Sequence, residues 1–98
     1  MKYKIRKVPE YQAWFDEQAE KSKLQILKRL ELIERDGYFG DHKLVNEPVW
    51  ELKWVNGRRV YYANLSQTEI MLLLGGNKNG QSKDITQAKR ILKKYTNG

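Results

Sequence analysis

The chain has 98 residues, 40% of them hydrophobic and 32% charged, which is enough for one buried core and too little for two, so a single domain over 1–98 is expected. It contains no cysteine and one histidine, His42; a disulfide framework, a thiol nucleophile and a Cys/His metal cluster are excluded, and no cofactor is expected. The net charge of +7 is unevenly placed, because residues 51–98 hold nine Lys and Arg against three Asp and Glu while residues 1–50 are nearly balanced, a bias that suits a polyanionic partner.

No apolar run approaches the roughly 20 residues of a membrane span, and the opening Met1 to Arg6 lacks the apolar core of a secretory signal, so a cytosolic protein is expected. Tyr3 to Val8 alternates and predicts a first strand at a sheet edge, where lysines discourage further pairing. Pro9 suits the first position of a helix, with Tyr11, Trp14, Phe15 and Gln18 or Ala19 following at helical spacing. Ser22 and Gln25 have capping-box spacing and predict the start of a second helix. Its Leu24, Leu27, Leu30 and Ile33 or Glu34 share a face that Ile26 widens, and Gly37 closes it. This helical pair is expected to cover the apolar face of a sheet. Tyr38 to Pro48, punctuated by Gly40, reads as a loop, with His42 an ordinary member of it.

Trp50 to Lys78 predicts three strands in an antiparallel meander. Trp50, Leu52 and Trp54 alternate with Glu51 and Lys53, Asn56-Gly57 signals a hairpin, Arg58 to Leu65 is rich in β-formers, and Ile70 to Leu74 is continuously apolar, as in a central strand covered on both faces. A two-residue loop would mix apolar and charged residues on both faces. A three-residue loop of Val55, Asn56 and a left-handed Gly57 instead sets Leu52 opposite Val60, Trp50 opposite Tyr62 and Lys53 opposite Arg59. That register gives one apolar face and leaves Glu51, Lys53, Arg59 and Tyr61 together on the other, expected to be exposed. Like charges directly opposite are mildly unfavourable, so Lys53 and Arg59 point either to a missing anion or to two separately solvated side chains.

Gly75 and Gly80 have the separation of a nucleotide-binding P-loop, but Gln81 stands where its lysine belongs, and nucleotide hydrolysis is rejected. A glycine-rich turn before a helix still favours an anion, with Lys78 beside it, although the glycines equally suit a simple change of direction. The last helix, from about Gln81 to Tyr95, carries Ile85, Ala88, Leu92 and Tyr95 at helical spacing and Lys89, Arg90, Lys93 and Lys94 on its other faces. Two placements stay open for it, packed on the body or standing off as an arm.

Four motifs occur in order: Gly40-Asp41-x-Lys43, Trp50-Glu51-Leu52-Lys53, Arg59-Val60-Tyr61-Tyr62, and Leu73-Leu74-Gly75-Gly76-x-Lys78-x-x-Gln81-x-x-Asp84-Ile85. Together they resemble the HigB-like addiction-module killer branch of the RelE/ParE toxin superfamily. The resemblance implies an α+β fold, with two N-terminal helices on a small, mainly antiparallel four-stranded sheet and a C-terminal helix. It further implies a toxin neutralised by a cognate antitoxin, a metal-independent endoribonuclease that cuts mRNA on the ribosome. A ParE-like inhibitor of DNA gyrase and a non-catalytic binding protein of the same fold are the alternatives. Lys53, Arg59 and Lys78 occupy positions matching the family's catalytic cations. Where some members carry a further basic residue this chain has Glu51, and where some carry a C-terminal tyrosine it has Asp84, which leaves the acid and base open between these two carboxylates and a lysine. Tyr61, Lys43, Lys83 and Arg90 are the expected RNA-binding residues.

Overall fold

In a computed structural model, which describes residues 2–97, the meander forms the middle of a five-stranded sheet. Its strands are β1 (Lys4–Lys7), β2 (His42–Asn46), β3 (Val49–Lys53), β4 (Arg58–Ser66) and β5 (Glu69–Asn77), in the spatial order β1-β5-β4-β3-β2. All neighbours are antiparallel except β1, which runs parallel to β5. The β3–β4 register is the one that sorts the apolar residues, with Trp50 opposite Tyr62, Leu52 opposite Val60 and Lys53 opposite Arg59. Gly57 adopts φ 96° in the turn, a backbone region open mainly to glycine.

Tyr38 to Pro48 is not a loop throughout, because His42–Asn46 forms the edge strand β2 and raises the expected four strands to five. A bulge between Leu44 and Asn46 breaks its alternation, and four of its five residues are exposed. Such a strand has no period-two signature to read.

Helices α1 (Pro9–Asp16) and α2 (Glu20–Asp36) lie on one face of the sheet. Pro9 opens α1, and Gly37, at φ 70°, closes α2 with its N–H on the Ile33 carbonyl. The capping-box reading of Ser22 and Gln25 fails, since α2 starts at Glu20 with Ala19 at its cap. The buried stripe is also rotated from the expected one. Ile26, Leu30 and Ile33 enter the core, while Leu24 and Leu27 are 66% and 45% exposed.

The third helix, α3 (Gln81–Thr96), packs on the opposite face of the sheet through buried Ala88, Ile91 and Leu92. Polar ties fix it along its length: Lys89 Nζ donates to Asn46 Oδ1 at 3.0 Å, and Lys94 Nζ and the Tyr95 hydroxyl both donate to the Glu10 carboxylate at 3.0 Å. Helices on both faces explain the unbroken apolar run of β5, where Ile70, Met71, Leu72 and Leu73 are all buried. Among the described residues no helix is long and apolar enough to cross a membrane.

Candidate functional site

The turn after β3 and the end of β5 meet at one end of the sheet. The Lys78 N–H donates to the Gly57 carbonyl at 2.9 Å, and the Lys78 methylenes run over the space where a side chain at Gly57 would stand. A short 3₁₀ turn, Lys78–Gly80, then leads into α3. Backbone pairing of Lys53 with Arg59, and of Arg59 with Gly76, brings the three expected cations to this end.

The face holding Glu51, Arg59 and Tyr61 is not exposed, which corrects the sequence expectation. These residues lie under α3, with Glu51 and Tyr61 at 0% and Arg59 at 9% exposure. Their partners are one another and the helix. Arg59 Nε stands 3.4 Å from Glu51 Oε1, Gln81 Nε2 donates to the same oxygen at 2.8 Å, and Arg59 Nη1 donates to the Arg58 carbonyl. Glu51 is thus the counter-ion of Arg59, the ion-pair role that its place on the same strand face allows. Tyr61, with its hydroxyl buried and unpartnered, has no face free for stacking on a base. Burial raises the Tyr61 phenol well above its usual range, and the nearby Asp84 and Glu51 carboxylates push the same way against Arg59.

Asp84, in the first turn of α3, is half-buried with its carboxylate against Gly76; a Cβ at that position would overlap it. Burial raises its pKa, opposed by Lys83. On the other face a Cβ at Gly75 would overlap the Trp14 indole. The paired glycines are therefore a close-packing device inside β5, with Trp14 on one side and Asp84 on the other, and not a loop. Lys43, Lys78, Lys83 and Arg90 are exposed and Lys53 is partly so.

Arg58 joins this end of the molecule from the α1–α2 face and was not among the expected residues. Its signal lies in the alternation of β4, which places it on the apolar face with Val60 and Tyr62. An arginine there needs acceptors from the covering helix. Ser22 and Gln25 supply them, with Arg58 Nη2 donating to Ser22 Oγ at 2.8 Å and Nη1 to Gln25 Oε1 at 3.0 Å, while the guanidinium lies 5.6 Å from the Trp54 ring centre.

No protein-family model matches the chain. An uncharacterized protein of Haemophilus influenzae is 43% identical over 67 residues, which are 66% of this chain; the match spans less than two thirds, 64%, of that protein. The free E. coli toxin RelE carrying two arginine-to-alanine substitutions superposes with a TM-score of 0.72 at 17% identity, over 93% of this chain and 99% of that one. The chain has the RelE fold. RelE in the intact E. coli RelBE toxin–antitoxin complex matches at 0.65 and 15% identity over 76% of this chain and 95% of its own. A crystal form of the isolated E. coli RelE toxin matches at 0.64 and 13% identity over 87% and 97%.

Proposed function

We propose that the protein is the toxin of a type II toxin–antitoxin pair and arrests translation by cutting mRNA on the ribosome. The observation that carries this reading is the RelE fold over nearly the whole chain, joined to cations collected at one end of the sheet. In RNA cleavage the 2′-hydroxyl attacks the adjacent phosphorus and the 5′-oxygen leaves, so the protein must orient the strand, stabilise a pentacoordinate anion and move two protons. Lys78 and Lys53 supply charge from accessible positions, and the edge of the Arg59 guanidinium completes the set; such donors contribute a few kcal/mol each to a transition state. Glu51 is held by Gln81 and Arg59 and acts as a positioning residue. Asp84, with its pKa raised by burial, is the group suited to carry a proton. Lys43, Lys83 and Arg90 hold the strand through its phosphates.

Induction in a bacterial host tests the reading. Growth arrest with cleaved mRNA on stalled ribosomes, undiminished by EDTA in a purified assay, is the expected result. Arrest with relaxed or broken DNA and intact mRNA would mean gyrase is the target. Absence of arrest would favour a non-catalytic binding protein, a second reading that the burial of Glu51 and Arg59 supports.

A further inference from the structure

Beside the cations of the proposed cleavage site, on the α1–α2 side of the sheet, a cavity of about 300 Å³ is lined by Trp14, Gln18, Asn56, Arg58, Gly76 and Asn77. Arg58 is 8% exposed, and the hydrogen-bond acceptors of its guanidinium, Ser22 and Gln25, are neutral. Arginine keeps its charge when buried, and a buried cation normally has an anion beside it. No Asp or Glu lines the cavity. Of the other polar walls, Gln18 spends its NH₂ on the Trp14 carbonyl, and the two asparagines offer donors. Asn56 Oδ1 accepts from the Arg58 N–H and Asn77 Oδ1 from the Asn79 N–H, so both amide NH₂ groups are left without an acceptor among the described residues.

We infer that this cavity is a phosphate-binding site that takes one backbone phosphate of single-stranded RNA, next to but apart from the scissile one. The inference rests on the RNA-cleaving reading above. A second cavity, of about 360 Å³ and also bounded by Asn56, favours a nucleic acid over an acidic peptide. Trp54 and the fully exposed Val55 give it an aromatic and apolar wall, and Arg29, Lys53 and Asp41 give it charged edges. A base stacks on that wall, with the Lys53 charge beside it for the next phosphate. A cationic, donor-rich cavity beside an aromatic wall follows the phosphate–base sequence of a single strand.

Asn77→Asp is the informative variant. A carboxylate oxygen still accepts the Asn79 N–H, so the turn is kept, while the free donor becomes a negative charge facing Arg58. The probes are inorganic phosphate, followed through the Asn56 and Asn77 side-chain amide and Arg58 Nε resonances, and a hexanucleotide bearing 2′-O-methyl groups, which has no attacking hydroxyl and stays intact. Phosphate should shift those resonances in the parent, and Asn77→Asp and Arg58→Gln should each weaken oligonucleotide binding by about tenfold at fixed salt. The melting temperature of Asn77→Asp should match the parent, which separates a lost site from a lost fold. Equal oligonucleotide affinity for parent and Asn77→Asp would overturn the site, as would displacement of those resonances by a hexaglutamate peptide and not by the oligonucleotide. Weakened binding in a protein that causes no growth arrest would uphold the site and sink the toxin reading, and arrest with unchanged Asn77→Asp binding would do the reverse.

Discussion

Arg59 sits beneath α3 with Glu51 as its ion-pair partner, so its removal leaves a fully buried carboxylate without a cation. Breaking a buried pair from one side costs about 3 kcal/mol or more. Arg59→Ala should therefore unfold at distinctly lower denaturant than the parent, and adding Glu51→Gln should recover most of the loss. A single variant as stable as the parent would show that Gln81 alone satisfies Glu51. Loss of cleavage in Arg59→Ala is thus ambiguous until the double variant is assayed. Lys78→Ala has no such complication. Its side chain is exposed, and the variant should keep its stability within about 0.5 kcal/mol while cleaving roughly a hundredfold more slowly; unaltered cleavage would remove Lys78 from the site. The strand positions of Glu51, Arg59 and Tyr61 were legible in the sequence because only one hairpin register sorts the large apolar side chains. Their burial was not, since charged residues on one strand face look alike whether they meet water or one another.

At the scale of elements, α2 shows how a buried stripe escapes a reading based on hydrophobicity. Ser22, Gln25, Ile26, Arg29, Leu30 and Ile33 recur at three- and four-residue steps on one face. Its first half is polar because it serves Arg58 and the chain around Trp54, with Arg29 Nη2 donating to the Lys53 carbonyl at 2.8 Å and its guanidinium 4.3 Å from the Trp54 ring centre. Leu24 and Leu27 then offer a more apolar but outward-facing alternative. In β5, Gly75→Ala would force a methyl into the Trp14 indole. Overpacking of this kind costs about 1 to 3 kcal/mol; thermal melting should show the loss, and Trp14→Leu in the same chain should relieve part of it. The far end of α3 is pH-sensitive. Burial works to raise the Glu10 carboxyl, but hydrogen bonds from Lys94, its own backbone and Tyr95, with the Lys94 charge, bring it below its ordinary value. A folded pKa below the unfolded one means the tie is in place above the ordinary glutamate range and is lost as the pH falls through the folded value. Amide exchange at residues 93–97, corrected for its intrinsic pH dependence, should lose protection on acidification through that window, and Glu10→Gln should show no such step.

The whole molecule presents its excess charge on the exposed cations of β2, the β5–α3 junction and α3. The proposed antitoxin should be acidic where it covers them. Co-expression should yield a complex whose dissociation constant rises as sodium chloride is raised from 50 to about 500 mM, because exposed charges are screened over roughly 10 Å at 0.1 M salt and less at higher salt. A complex indifferent to salt would place the contact on apolar surface such as Leu24 and Leu27.

Among the described residues, strand β1 pairs with β5 alone, where Lys4 faces Glu69 and Lys7 faces Leu72. During synthesis, which runs from the N-terminus, the first strand must wait for residues some 65 positions later, and α1 and α2 have no complete surface to cover until then. A nascent chain halted before β5 carries Ile26, Leu30 and Ile33 uncovered and should be cut readily by proteases. The proposed cleavage site, closed by Lys78 and Asp84, comes into being only after the last strand has left the ribosome, so a translating ribosome does not carry the finished site on its own partly made product.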